Sequence, residues 1–146
     1  MNKDVIISIR GAQSYEDVEN EVIELVTSGT LTRDETGYRL SYAESELTGL
    51  EGTITTFQVE KDRITLMRLG EINSQMVFEE GRKHYSLYET PYGAMTVSVA
   101  ARRVHSDLSE LGGNIEINYA VEIDHAVAGE NFFQINVRAA NQGIPQ

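Results

Sequence analysis

The feature that most constrains this chain is an alternation of apolar and polar residues running almost from end to end, broken by turn signals about every 8–13 residues. In "GGNIEINYAVEI", Ile115, Ile117, Tyr119, Val121 and Ile123 alternate with Glu116, Asn118 and Glu122. Successive side chains of a strand point to opposite faces, so such a segment buries one face and wets the other. Strands are predicted at residues 4–10, 21–32, 38–44, 50–60, 63–69, 74–79, 83–90, 94–105, 114–126 and 132–138. The turns between them include "DETG", "KD", "EGR", "PYG", "SDLSELGGN" and "AGEN". The expected fold is all-β: a single antiparallel β-barrel domain spanning residues 1–146, of about 8–10 strands, because closure removes sheet edges.

Hairpin register tests this pattern, since residues directly opposite share a face. A four-residue loop at Asp34–Gly37 sets Leu31 opposite Leu40 and Gly29 opposite Tyr42, an aromatic covering a strand glycine. A two-residue loop at Lys61–Asp62 pairs Val59 with Ile64 and Phe57 with Leu66. A turn at "AGEN" pairs Val121 with Val137 and Ile123 with Ile135. One segment is ambiguous. "SYEDVENEVIELVTSG" spaces Val18, Val22, Leu25 and Val26 as a helix would, and Ser14 with Asp17 resembles a capping box. Its β-branched content and the Leu31–Leu40 pairing favour a strand from about Glu21, preceded by a loop or short helical turn.

Composition narrows function by exclusion. Twelve basic against 23 acidic residues give a net charge of −11, with no Lys/Arg cluster. Nucleic acid and anionic membranes demand a basic face, so neither is an expected partner, and the acidity is read as solubility. The absence of Cys excludes disulfides and thiolate chemistry and fits a reducing, cytoplasmic location. The start "MNKDVIISIR" has too short an apolar run for a signal peptide.

The stretch "HYSLYETPYGAM" gathers aromatics, a Glu and a Pro-x-Gly, as a binding site would. Pro91 suits the first corner of a type I turn and Gly93 the left-handed position after it. That three-residue loop sets Glu89 opposite Met95, Leu87 opposite Val97, Tyr85 opposite Val99 and His84 opposite Ala100. From "ELTGLEGTITTFQV" through "MRLGEINSQMVFEEG" and "YETPYG" to "GGNIEINYAVEI", the sequence resembles the YwiB-like family, small bacterial cytosolic proteins with calycin-type, lipocalin-like barrels. The resemblance rests on Arg68, Gly70, Gln75, Phe78, Gly81, Tyr88, Gly93 and Tyr119. It implies the barrel fold, carries over no catalytic residue, and hints at an apolar ligand, because calycin barrels often hold one.

Constellations of chemical groups are weighed against their structural readings. Three His residues invite a metal, but His84 is placed outward, and His105 and His125 lie near opposite strand ends, so no metal is expected. "HSD" at His105–Asp107 has triad residue types in a consecutive order that cannot align. Glu44 and Glu89 are the best inward candidates for a carboxylate dyad, though some rim acid is expected by chance. Arg68 shares a face with Leu66 and Phe57; it either plugs the barrel end or anchors a ligand carboxylate. Tyr85 and Tyr119 serve as core or as ligand contacts. Glu89, Met95, His125 and Phe133 are predicted to line up across four strands at one barrel mouth as a polar gate.

The expected function is non-enzymatic binding of a small, mostly apolar molecule, with Arg68, Tyr85, Glu89, Tyr119 and His125 as candidate contacts and no cofactor. The alternative is a protein-interaction or structural module with a filled barrel. A hydrolase or isomerase using the mouth Glu/His pair ranks last, since no complete constellation is visible. The bulky inward set, Leu25, Leu31, Leu40, Tyr42, Phe57, Leu66, Tyr85, Leu87, Tyr119, Ile123 and Phe133, implies a narrow cavity. The sequence fixes no oligomeric state.

Overall fold

The computed structural model describes residues 2–15, 18–44, 51–70, 73–90, 93–123 and 126–140, and their side chains except at 13–15, 18–21, 87–90, 95 and 126–128. Ten strands form one antiparallel sheet: β1 (Asn2–Tyr15), β2 (Val18–Arg33), β3 (Gly37–Ala43), β4 (Ile54–Glu60), β5 (Ile64–Leu69), β6 (Ser74–Phe78), β7 (Lys83–Thr90), β8 (Gly93–Ser106), β9 (Gly112–Ile123) and β10 (Ala126–Ala139). Their order is β6-β5-β4-β3-β2-β1-β10-β9-β8-β7. Every ladder except β1·β10 joins strands consecutive in sequence, and the two sheet ends, β6 and β7, meet at a seam. The result is a nearly closed up-and-down barrel.

Apolar residues of one parity meet across the ladders. Leu31 opposes Leu40, Leu40 opposes Phe57, Phe57 opposes Leu66, and Leu66 opposes Met76. Ile7 opposes Val137, and Ile135 opposes both Ile9 and Ile115. These residues and Val5, Ile64, Phe78, Val97, Val99, Ile117 and Tyr119 build the interior. Phe78 of β6 and Tyr119 of β9 meet with ring centroids 4.6 Å apart. At Gly29 a Cβ would run into the Ser41 carbonyl and Ile7 Cδ1, with Tyr42 against it, so the aromatic does lie over the glycine.

The ambiguous N-terminal segment is strand in its described residues, and Asp17 of the capping-box reading lies outside them. β1 and β2 form a long hairpin paired from Asn2↔Thr32 to Tyr15↔Val18, so the loop or helical turn expected before Glu21 is replaced by extended chain. Partners on β1 for nearly every residue decide against the helix, because tertiary pairing outweighs intrinsic propensity. β4 begins at Ile54 rather than residue 50, after a turn at Glu51–Gly52.

Two hairpin registers differ from expectation. "AGEN" is not a turn: β9 and β10 join across residues 124–125, with Ile123↔Ala126 and Val121↔Gly129. Ile135 therefore opposes Ile115, and Val137 opposes Gly113, not Ile123 and Val121. Gly129 follows a β-bulge that lets the strand run on. The slip is an even number of residues, so the inward parity of both strands survives.

The β7–β8 hairpin slips by an odd number. Its connection is the two residues Pro91–Tyr92, with Thr90↔Gly93, Glu89↔Ala94, Leu87↔Thr96, Tyr85↔Ser98 and His84↔Val99. Connection length sets register, and a one-residue change moves every side chain to the other face. Tyr85 is accordingly 64% exposed, and His84 takes the place facing inward beside Val99. His84 Nε2 lies 3.0 Å from Glu79 Oε1.

Candidate ligand site

An up-and-down course puts the β1–β2, β3–β4, β5–β6, β7–β8 and β9–β10 connections at one end of the barrel, termed the mouth end. At the opposite end the turns are held by ordinary hydrogen bonding. Asp34 accepts hydrogen bonds from Gln58, from the Thr36 hydroxyl and from the Thr36 and Gly37 N–H groups, which hold its carboxyl below the usual range. Asp107 accepts from the Asn114 N–H at 2.6 Å, so the acid of "HSD" shapes the β8–β9 loop.

Just inside the mouth, β3, β4 and β5 bring polar side chains into the apolar interior. The Lys61–Asp62 turn that aligns Val59 with Ile64 also sets Thr55 opposite Arg68, and Arg68 in turn opposes Ser74. Tyr42 opposes Thr55, and Glu44 follows two residues on with the same parity. Glu44 is only 8% exposed, and Thr55 is fully buried. Three buried atoms here have no hydrogen-bond partner: Glu44 Oε1, Thr55 Oγ1 and Arg68 Nε. Folded proteins leave few such groups, because each costs about 1–3 kcal/mol. The groups still sense one another. Burial first, then the Glu44 charge, push the Tyr42 hydroxyl well above the usual phenol range, while Arg68 pulls it back. Thr55 also influences that titration but lies outside hydrogen-bonding geometry.

A groove of about 420 Å³ runs along the β6/β7 seam, lined by Leu69, Ser74, Gln75, Val77, Tyr85 and Ser86 among others. Ser74, the register partner of Arg68, is among the residues that line the groove. Leu69 and Tyr85 present exposed apolar surface along it.

The candidate residues therefore separate. Arg68 is in the cluster. Tyr85 is on the seam groove rather than inside. Tyr119 is buried in the core between Phe78 and Phe133, whose rings lie 4.6 and 6.0 Å away. The predicted four-strand line of Glu89, Met95, His125 and Phe133 does not form. Glu89 opposes Ala94, and Phe133 opposes Ile117 and Gly11. His125 and the side chains of Glu89 and Met95 lie outside the described residues. The expected Glu44–Glu89 dyad rests on the Glu89 side chain and so lies outside the described residues. The sequence reading missed Thr55 and the pairing of Glu44 with Arg68's neighbourhood. Its own β4–β5 register held the signal: a polar pair, Thr55 and Arg68, on an otherwise apolar face. Among the described residues no group of three His, Asp or Glu could hold a metal, and no helix is long and apolar enough to cross a membrane.

Fold and site together define a small single-sheet antiparallel β-barrel with a polar cluster under its mouth. The chain belongs to the family described as a domain of unknown function, DUF1934, whose pattern matches residues 7–135. It is 27% identical over 124 residues to the uncharacterized beta-barrel protein YwiB of Bacillus subtilis (strain 168), covering 84% of this chain and 86% of that one. The crystal structure of ywiB protein from Bacillus subtilis matches the fold with a TM-score of 0.85 at 21% identity, over 96% of this chain and 94% of that one.

Proposed function

We propose that this barrel binds a small molecule that has an apolar body and a polar, acceptor-bearing head. One observation carries the reading: Glu44 Oε1, Thr55 Oγ1 and Arg68 Nε, on neighbouring segments of the wall, are buried without partners. A head group that accepts from Arg68 Nε and from the Thr55 hydroxyl would satisfy those two groups, and Arg68's forked donors suit a carboxylate or sulfonate. The apolar body would lie toward the seam groove beside Leu69, Val77 and Tyr85. The bulk at Phe78 and Tyr119 limits the depth available, which favours a small ligand. No reaction is assigned to the site.

Titration with 1-anilinonaphthalene-8-sulfonate, an apolar dye with one anionic head, tests this. One saturable site is expected, with affinity falling about tenfold or more in Arg68→Met, since a charged hydrogen bond contributes about 1.5–3 kcal/mol. Binding that is absent, or indifferent to Arg68, rejects the reading in favour of a filled barrel.

A further inference from the structure

The polar cluster contains two opposite charges that do not pair. Glu44 and Arg68 share the inward parity of Tyr42 and Thr55, on segments two strands apart, about 9–10 Å between backbones. The main chain fixes their places. The Glu44 N–H donates to the Thr53 carbonyl at 2.8 Å, one inward layer nearer the mouth end than the row Tyr42, Thr55 and Arg68. The Tyr42 hydroxyl feels Glu44, Arg68 and Thr55 together, so these groups surround one point. Among the described residues, neither charge forms an ion pair with the other or with any third group.

An unpaired buried charge costs more than an unpaired neutral group. A filled barrel would bring Glu44 and Arg68 together or dispense with both. Held apart, they leave Glu44 Oε1, which a donor satisfies, and Arg68 Nε, which only an acceptor satisfies. A purely anionic head answers Arg68 and Thr55 and is repelled by Glu44. A head that carries a cationic donor beside an anionic acceptor answers all three.

We infer that the ligand's head is dipolar, and that the ligand is a free α-amino acid with an apolar side chain. Its ammonium donates to Glu44, its carboxylate accepts from Arg68 and Thr55, and its side chain supplies the apolar body. The charges of Glu44 and Arg68 sum to zero, as do those of the ligand, so binding brings no net charge into the barrel. An internal residue of a peptide has lost both charges and does not qualify. A carboxamide offers a donor and an acceptor but leaves both ions uncompensated. The inference rests on the ligand site proposed for this cluster and narrows its occupant.

L-Leucine and two truncated analogues test the class, with binding read from protein amide NMR shifts. 4-Methylpentanoate lacks the ammonium, and 3-methylbutylamine lacks the carboxylate. Leucine should bind about tenfold or more tighter than either. Glu44→Gln, an isosteric change, should weaken leucine about tenfold or more and leave 4-methylpentanoate unchanged or tighter. Arg68→Met should weaken leucine and 4-methylpentanoate and spare 3-methylbutylamine. The three-ligand comparison needs no variant, so it stands even where a substituted chain fails to fold. Leucine binding no tighter than 4-methylpentanoate overturns the inference; if both still depend on Arg68, the acceptor-bearing head survives without its dipole. A dye that binds through Arg68 while leucine does not bind overturns the amino-acid class alone. Binding by neither dye nor leucine rejects the ligand site and its occupant together.

Discussion

The interior of this barrel is built in two ways. Around Phe78, Ile64, Ile117, Ile135 and Val99 it is dry, close-packed and fully buried. A few residues nearer the mouth, around Tyr42, Glu44, Thr55 and Arg68, it holds polar groups whose hydrogen-bonding capacity is not met within the chain. The first region is explained by stability alone, since apolar burial contributes about 25 cal/mol per Å². The second opposes stability, and a feature that costs folding energy is better explained by what it binds.

This contrast yields opposite expectations for substitutions in the two regions. Phe78→Ala removes a fully buried ring in contact with Tyr119 and should lower unfolding free energy by about 3–5 kcal/mol in urea denaturation. A loss below about 1 kcal/mol would show that the dry region is loosely packed. Thr55→Val replaces an unpartnered buried hydroxyl with an isosteric methyl and should raise stability by about 1 kcal/mol in the ligand-free protein. A loss of similar size would mean that the hydroxyl is satisfied after all, and the contrast would dissolve.

The smallest effect is confined to high pH. The Tyr42 phenol is raised by burial and by Glu44, so the folded state keeps its proton where the unfolded chain, with an ordinary value near 10, has lost it. Between those values the unfolded state binds fewer protons, so stability must fall as pH rises above about 10. Below that value the contribution is fully present. Tyr42→Phe should flatten the decline by about one proton, read from denaturation midpoints at successive pH values. An unchanged slope would place the titrating group elsewhere.

Much of this architecture was legible because alternation and hairpin register are local. Leu31–Leu40, Val59–Ile64 and Phe57–Leu66 pair as their loops dictate, and all ten strands fall within a few residues of their predicted places, apart from the extended ends of β1, β2 and β10. The failures came where connection length was uncertain by a residue or more. "PYG" offers two turns that differ by one residue, and choosing the longer one put Tyr85 inside and His84 outside. "AGEN" has the composition of a turn, but a bulge absorbs its glycine. The site was only half legible. Arg68 is conspicuous as an interior charge, whereas Thr55 and Glu44 matter because of what they fail to bond, and a missing partner has no signature in sequence.

The order of the strands has a consequence for assembly of the fold. Among the described residues only the β1·β10 ladder joins distant parts of the chain, and the Ala140 N–H to Asp4 carbonyl bond brings the two ends of the described chain side by side. The β6–β7 turn, by contrast, spans a seam that no main-chain ladder crosses among the described residues. Linking the termini and cutting between Glu79 and Arg82 would produce a circular permutant running β7 to β10 and then β1 to β6. Every ladder would then be local, and lower contact order speeds folding. The permutant should refold faster than the natural chain in stopped-flow experiments; equal rates would show that joining β1 to β10 does not limit folding.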